Sequence, residues 1–144
     1  TVNHLNSFTN MAWHIAFIIS GESFEPDKID FEFSRSHRAS DIATLGKNKG
    51  KPYGYGSASY VVSCQYSRQT AFHELAELFE PKLKELELAG ADCWRIEIGR
   101  LYNNQCNEEL SSEEIKQIAR LECPLHYSAY AVNEKEVEQG WSED

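Results

Sequence analysis

The chain offers little sulfur chemistry. Its four cysteines, Cys64, Cys93, Cys106 and Cys123, lie far apart with no C-x-x-C pair, which excludes the usual zinc and dithiol spacings. Separate, buried free thiols are the expectation, and no metal or other cofactor is expected. No secretory leader argues for an oxidising compartment, so the expectation is a reduced, cytoplasmic protein. Long apolar runs are also missing. The best stretch, WHIAFIIS at 13–20, has the length of a strand and falls far short of the ~20 residues of a membrane-spanning helix. No membrane partner is expected. Positive charge is scarce: 14 Lys plus Arg stand against 23 Asp plus Glu, a net charge of −9. A field of that sign repels polyanions and attracts basic proteins, so a basic protein is the expected partner and nucleic acid is not.

Ready-made catalytic motifs are equally absent. No G-x-S-x-G occurs, and His73-Glu74 continues Leu-Ala-Glu where a metalloprotease helix needs a second histidine. The stretch TLGKNKGKPYGYGS at 44–57 has the lysines and glycines of a phosphate cradle but the wrong spacing. Three residues, not four, separate Gly46 from Gly50, and Lys51 is followed by Pro52 and then by a strand pattern instead of a helix. Arg35, Arg38, Lys47, Lys49 and Lys51 still form the one basic cluster in an acidic chain, beside Tyr53 and Tyr55. Basic and aromatic residues together can hold single-stranded nucleic acid, but the net charge opposes it, and a solvated loop is the plainer account.

What is present is an ordinary globular balance, 41% hydrophobic and 26% charged, in 144 residues. That length suits one domain that buries about 68–70% of its unfolded surface. Residues 1–10 are polar and aperiodic and are set aside as an arm. Residues 134–144 are read as an acidic tail, with Glu134, Glu136, Glu138, Glu143 and Asp144 against a single Lys135. Trp141 inside that tail has the character of an anchor for a basic partner or for the chain's own domain. The domain proper is placed at 11–133.

Four segments alternate with the period of a strand. Trp13, Ile15, Phe17 and Ile19 oppose His14, Ala16 and Ile18. Tyr60, Val62, Cys64 and Tyr66 oppose Ser59, Val61, Ser63 and Gln65. Trp94, Ile96 and Ile98 oppose Arg95 and Glu97. Leu125, Tyr127, Ala129 and Ala131 oppose His126, Ser128 and Tyr130. Between them lie three helical patterns. Pro26 opens a short one over 26–31. A long one carries Phe72, Leu75, Phe79, Leu83 and Leu86 on one face, capped by Ser67, kinked at Pro81 and stopped at Gly90. The last starts with the capping box Ser111–Glu114 and has Ile115, Ile118 and Ala119 as its apolar face. The predicted order is β-α-β-α-β-α-β.

Each strand is apolar on one side and half polar on the other. A sheet covered on both faces needs strands apolar on both. The expected fold is therefore α+β: a two-layer sandwich with a mixed sheet, helices mainly on one face and the other face open. His14, Gln65, Arg95, Glu97, His126 and Tyr130, with Ser63 and Ser128, should share that open face, where hydrogen-bonding groups on a rigid platform suit recognition. Taken singly, each is explained as well by cross-strand pairing on a wet sheet. Two histidines and a tyrosine are nonetheless unusual solubilising choices. These residues, with Glu134, Glu136, Glu138 and Trp141 of the tail, are the candidate partner-binding set. No catalytic residue is assigned.

With these segments in place, the chain resembles a bacterial family catalogued as domain of unknown function four-two-seven-nine, over residues 11–132. The resemblance rests on the first strand followed by ISGESFEPDKID, on LGKNKGKPYGYGS leading into a strand, and on FHELAELFEPKLKEL. Its most specific part is WRIEIGRLYNNQCNEELSSEEIKQIARLECPLHYSAY. Tyr60 stands where such proteins often carry a tryptophan. The resemblance implies that the Gly/Lys stretch is a connection into the second strand. It also implies similarity in size and acidity to bacterial immunity proteins, which neutralise a toxin domain by binding it. The expected function is accordingly non-enzymatic: binding of a cognate, basic, nuclease-type toxin domain in the bacterial cytoplasm. The alternatives are a small-ligand or nucleotide-binding regulatory or anti-defence protein, or an enzyme using the polar residues of the open face.

Overall fold

The computed structural model describes residues 13–62, 67–104 and 106–133. Five strands form one sheet: β1 (Trp13–Gly21), β2 (Arg35–His37), β3 (Gly56–Val61), β4 (Cys93–Tyr102) and β5 (Leu125–Ala131). Their spatial order is β2-β3-β1-β4-β5. Neighbours run antiparallel except β4 and β5, which are parallel and joined through a helix. The helices are α1 (Arg68–Phe79), α2 (Leu83–Leu88) and α3 (Ser112–Arg120), with 3-10 turns at Pro26–Lys28 and Glu80–Lys82. The fold is α+β, as the strand asymmetry requires.

Cross-strand register fixes the two faces. Ile15 lies opposite Ile98, Phe17 opposite Ile96 and Tyr60, and Ile19 opposite Trp94 and Ala58. These side chains form one core with Phe72, Leu75 and Phe79 of α1, Leu86 of α2 and Leu121 just past α3. All three helices therefore cover the same side. Phe79 is the hub, its ring centroid 4.4 Å from that of Phe17, 5.0 Å from Phe31 and 5.8 Å from Tyr60. Tyr60 also donates to Glu74 at 3.1 Å and ties β3 to α1. The Trp94 indole N–H donates to the Leu121 carbonyl at 2.8 Å and locks the end of α3 to β4.

Several elements depart from the predicted order. An additional strand, β2, comes from the polar span, where Arg35–His37 pair with Ser57–Ser59. It forms because β3 offers a free ladder, and its own pattern carries no strand signal. The helix expected over 26–31 is a single 3-10 turn that ends at Lys28. The long helix does not merely kink at Pro81 but divides into α1, a 3-10 turn and α2, because the ring removes a donor and crowds the preceding turn. The N-cap at Ser67 and the capping box at Ser111 are as expected in position, Ser67 accepting from the Thr70 amide and Ser111 from the Glu114 amide. Of the expected apolar face of α3, Ile118 packs against the core, but Ile115 is 53% exposed and Ala119 faces solvent, while Glu114 and Gln117 are buried. None of the three described cysteines is fully buried. Cys93 is exposed beside Ser20, and Cys106 and Cys123 are half-buried, with burial pushing the Cys123 thiol up to about 11.

Arg68 explains the turned face of α3. Its guanidinium is bonded to both carboxylate oxygens of Glu114, reaches Glu108 at 3.2 Å and donates to the Glu109 carbonyl. Glu108 also contacts Arg100 at 3.1 Å. Both arginines lie over the Trp13 ring, 4.9 and 4.8 Å from its centroid, a placement worth about 0.5–2 kcal/mol per pair. Glu114 thus serves the capping box and the ion pair together, and α3 rotates to deliver it. Burial pushes the Glu114 carboxyl up, but the bonds from Arg68 and from the Ser111 amide outweigh that and hold it below the ordinary value.

Replacing Arg68 by Gln leaves Glu114 buried without its cation and is expected to lower stability by about 3 kcal/mol at neutral pH. A carboxyl with a depressed folded pKa stabilises above its unfolded pKa and stops doing so as pH falls through the folded one. The deficit of Arg68→Gln should therefore shrink as pH drops below the ordinary carboxylate range. Urea denaturation at a series of pH values measures both effects, and a deficit constant with pH contradicts this role.

Candidate functional site

The helix-free face is assembled from the other alternation set of each strand. His14, Ala16, Ile18 and Ser20 come from β1, Arg95, Glu97, Gly99 and Leu101 from β4, and His126, Ser128 and Tyr130 from β5. Arg35 and His37 of β2 and Ser57 and Ser59 of β3 complete it. Across three strands, His14, Gly99 and Ser128 stand in one row, and Ala16, Glu97 and His126 in the next. Adjacent strands lie ~4.8 Å apart and like-facing residues ~6.8 Å apart along a strand. Gly99 therefore sits at the centre of a ring of larger neighbours. The missing side chain leaves a depression of about 340 Å³ lined by His14, Glu97, Gly99, His126, Ser128 and Tyr130, with Ile98 in its wall.

Of the residues expected on this face, the structure brings His14, Glu97, His126, Ser128 and Tyr130 together around one concavity. Arg95 lies beside it and engages Glu97 through two contacts of 2.9 and 2.8 Å. Gln65, Glu134, Glu136, Glu138 and Trp141 fall outside the described residues. Gly99, the residue that shapes the depression, carries no chemistry and was missed by sequence reasoning. Its signal was a glycine inside an alternating strand, IEIGRLY, a position that often marks close approach by another group. The contribution of Arg35 was also hidden, since β2 had no strand pattern.

Burial pulls the His14 imidazole below its ordinary value. Glu97 pulls it up and Arg35 pushes it further down, and the net direction is down. At neutral pH His14 is a neutral ring able both to donate and to accept. Among the described residues no hydrogen bond joins Ser128, His126 and Glu97, so the residue types of a triad are present without its connections. No group of three or more His, Cys, Asp or Glu suited to a metal ion occurs among the described residues. The arrangement offers a carboxylate already steered by Arg95, two imidazoles and two hydroxyls, all hydrogen-bonding groups on rigid strands.

The basic stretch is a separate feature. Residues 39–54 fold back on themselves through bonds from the Ala43 amide to the Lys51 carbonyl and from the Tyr53 amide to the Asp41 carbonyl, 2.9 and 3.0 Å. Gly46 and Gly50 turn the tip with φ of 78° and 83°, which is what their spacing serves. The stretch leads directly into β3. Arg38 is taken up by Asp27 and Asp41, and Tyr53 stacks on His37 with centroids 3.6 Å apart. The aromatic rings face one another, which leaves less surface for stacked bases.

No protein-family model, no curated protein and no solved structure matches the chain.

Because Glu97 and Arg35 act on His14 with opposite signs, their replacements should move it in opposite directions. Glu97→Gln is expected to shift the His14 titration to lower pH and Arg35→Gln to higher pH, read from imidazole NMR signals. Equal shifts, or none, would mean that His14 does not share this face with both.

Proposed function

We propose that this protein is a non-enzymatic binding protein whose recognition surface is the helix-free sheet face, centred on the depression over Gly99. Its expected ligand is a basic protein, and the biological form of the role is that of a bacterial immunity protein that neutralises a cognate nuclease-type toxin domain in the cytoplasm. The observation that carries this reading is the convergence of His14, Glu97, His126, Ser128 and Tyr130 on one concave patch of rigid strand, where hydrogen-bonding groups are held in fixed positions. A net charge of −9 adds steering toward a cationic partner. Tyr130, half exposed at the rim, has the amphipathic character of an interface anchor. The resemblance noted in the sequence points the same way. No helix of the described residues is long and apolar enough to cross a membrane.

A second reading has one observation in its favour. The depression falls at the lower end of the ~300–1,000 Å³ typical of small-ligand sites, which suits a regulatory protein that binds a small polar ligand there.

Affinity capture from a bacterial lysate at low and at raised salt separates the two. A basic protein retained at low salt and released as salt rises is the expected result. The double variant Glu97→Gln, Tyr130→Ala, folded by circular dichroism, should bind that protein at least ~10-fold more weakly. Capture that ignores salt and survives both substitutions overturns the assignment. Chemical-shift changes confined to Gly99, Ser128 and Tyr130 on adding a small polar metabolite mixture would favour the second reading.

A further inference from the structure

The two edges of the sheet are built differently. β2 is three residues long, carries Arg35 and runs into Arg38, features that discourage a foreign strand from pairing. β5 has none of them. It is seven residues long, LHYSAYA, with no proline, lysine, arginine or carboxylate. All of it beyond Leu125 is exposed, and among the described residues no strand lies on its outer side.

The ladder with β4 shows which backbone groups are left over. The Pro124 carbonyl accepts from Ile96 and the Val132 amide donates to Tyr102. In a parallel pair, alternate residues point both backbone groups to the same side. The even-numbered residues of β5 therefore serve β4, and Leu125, Tyr127, Ala129 and Ala131 aim theirs outward. Unpaired groups in a row of this length form a template for another strand.

We propose that the occupant is a second copy of this chain, with β5 pairing antiparallel to its symmetry mate about a two-fold axis through Ala129. That register places outward-pointing residues opposite one another: Ala129 faces Ala129, and Tyr127 faces Ala131. The side chains match by size on both faces. On the helix side each Tyr127 ring lies beside a small Ala131, and the central pair is two methyl groups. On the other side each Tyr130 lies beside Ser128 of the second copy. Large meets small at each of these positions, the complementarity an isologous contact needs. β5 itself contains no acidic residue, but Glu122 precedes it and Glu134 follows it, so two chains of −9 pair against a repulsion that salt screens. The two sheets join into one, and Tyr130 of the second copy adds a wall to the depression beside Ser128.

This inference is independent of the reading of the depression, and salt tells them apart. Added salt screens the repulsion between like-charged copies and should tighten the dimer, whereas it should loosen a basic partner. Sedimentation equilibrium across the micromolar range at low and raised salt, with amide hydrogen exchange at matching concentrations, tests it. The expected result is a monomer–dimer equilibrium strengthened by salt, with the Tyr127, Ala129 and Ala131 amides protected only when the dimer forms. Ala129→Pro removes an outward N–H that bonds to none of the described strands and should weaken dimerisation at least ~10-fold. Ala131→Lys, which leaves the backbone donors intact and places charge beside Tyr127, should do the same if the proline variant does not fold. A monomer at every concentration, protection of those amides that is independent of concentration, protection that appears only with an added basic protein, or a dimer untouched by the variants would each overturn it.

Discussion

The structure depends on one constraint, the period of two along β1. Trp13, Ile15, Phe17 and Ile19 must leave water together, and in a strand they can do so only on one side. Because β1 lies centrally, between β3 and β4, its apolar side dictates theirs through register: Ile98, Ile96, Tyr60 and Ala58 are drawn to the same face. The helices must then return to that face, where Phe72, Leu75, Phe79, Leu86 and Leu121 close the core. The opposite face takes the polar sets, with Ala16 and Leu101 buried among them, and the depression over Gly99 lies on that side.

The second organising contact is the Arg68 cluster. It joins α1, the segment before α3, and the first residue of β1 through Glu114, Glu108 and Trp13. A buried ion pair of this kind gives little net stability compared with apolar packing, but it is intolerant of losing one member. Here it sets the rotation of α3. An amphipathic reading of that helix puts Ile115 inward, whereas the pull on Glu114 turns Ile115 outward and brings Leu121 beneath Trp94. Local pattern lost to a tertiary electrostatic contact.

Much of the candidate site was legible because sheet faces obey parity. Once the four alternating segments were recognised and one set in each was apolar, His14, Arg95, Glu97, His126, Ser128 and Tyr130 were bound to share a face whatever the strand order. Parity says nothing about distance along that face. That His14 and Ser128 flank Gly99, while Glu97 is held by Arg95, follows from strand order and register. β2 was illegible for a related reason: Arg-Ser-His has no periodic signal, and its strand character exists only by pairing with Ser57–Ser59. The division of the long helix into two was signalled by Pro81, yet whether a proline bends a helix or ends it depends on what the freed turn can pack against.

By itself the sequence determined the α+β class, the one-sided core, the caps at Ser67 and Ser111, and the membership of the polar face, because each follows from near-neighbour geometry that repeats every two or four residues. Tertiary structure alone decided the order β2-β3-β1-β4-β5, the concavity at Gly99, the rotation of α3 about Arg68 and the edge position of β5. Those features depend on which segments, distant along the chain, become neighbours in space, and that is settled by backbone pairing and side-chain fit that no local period encodes.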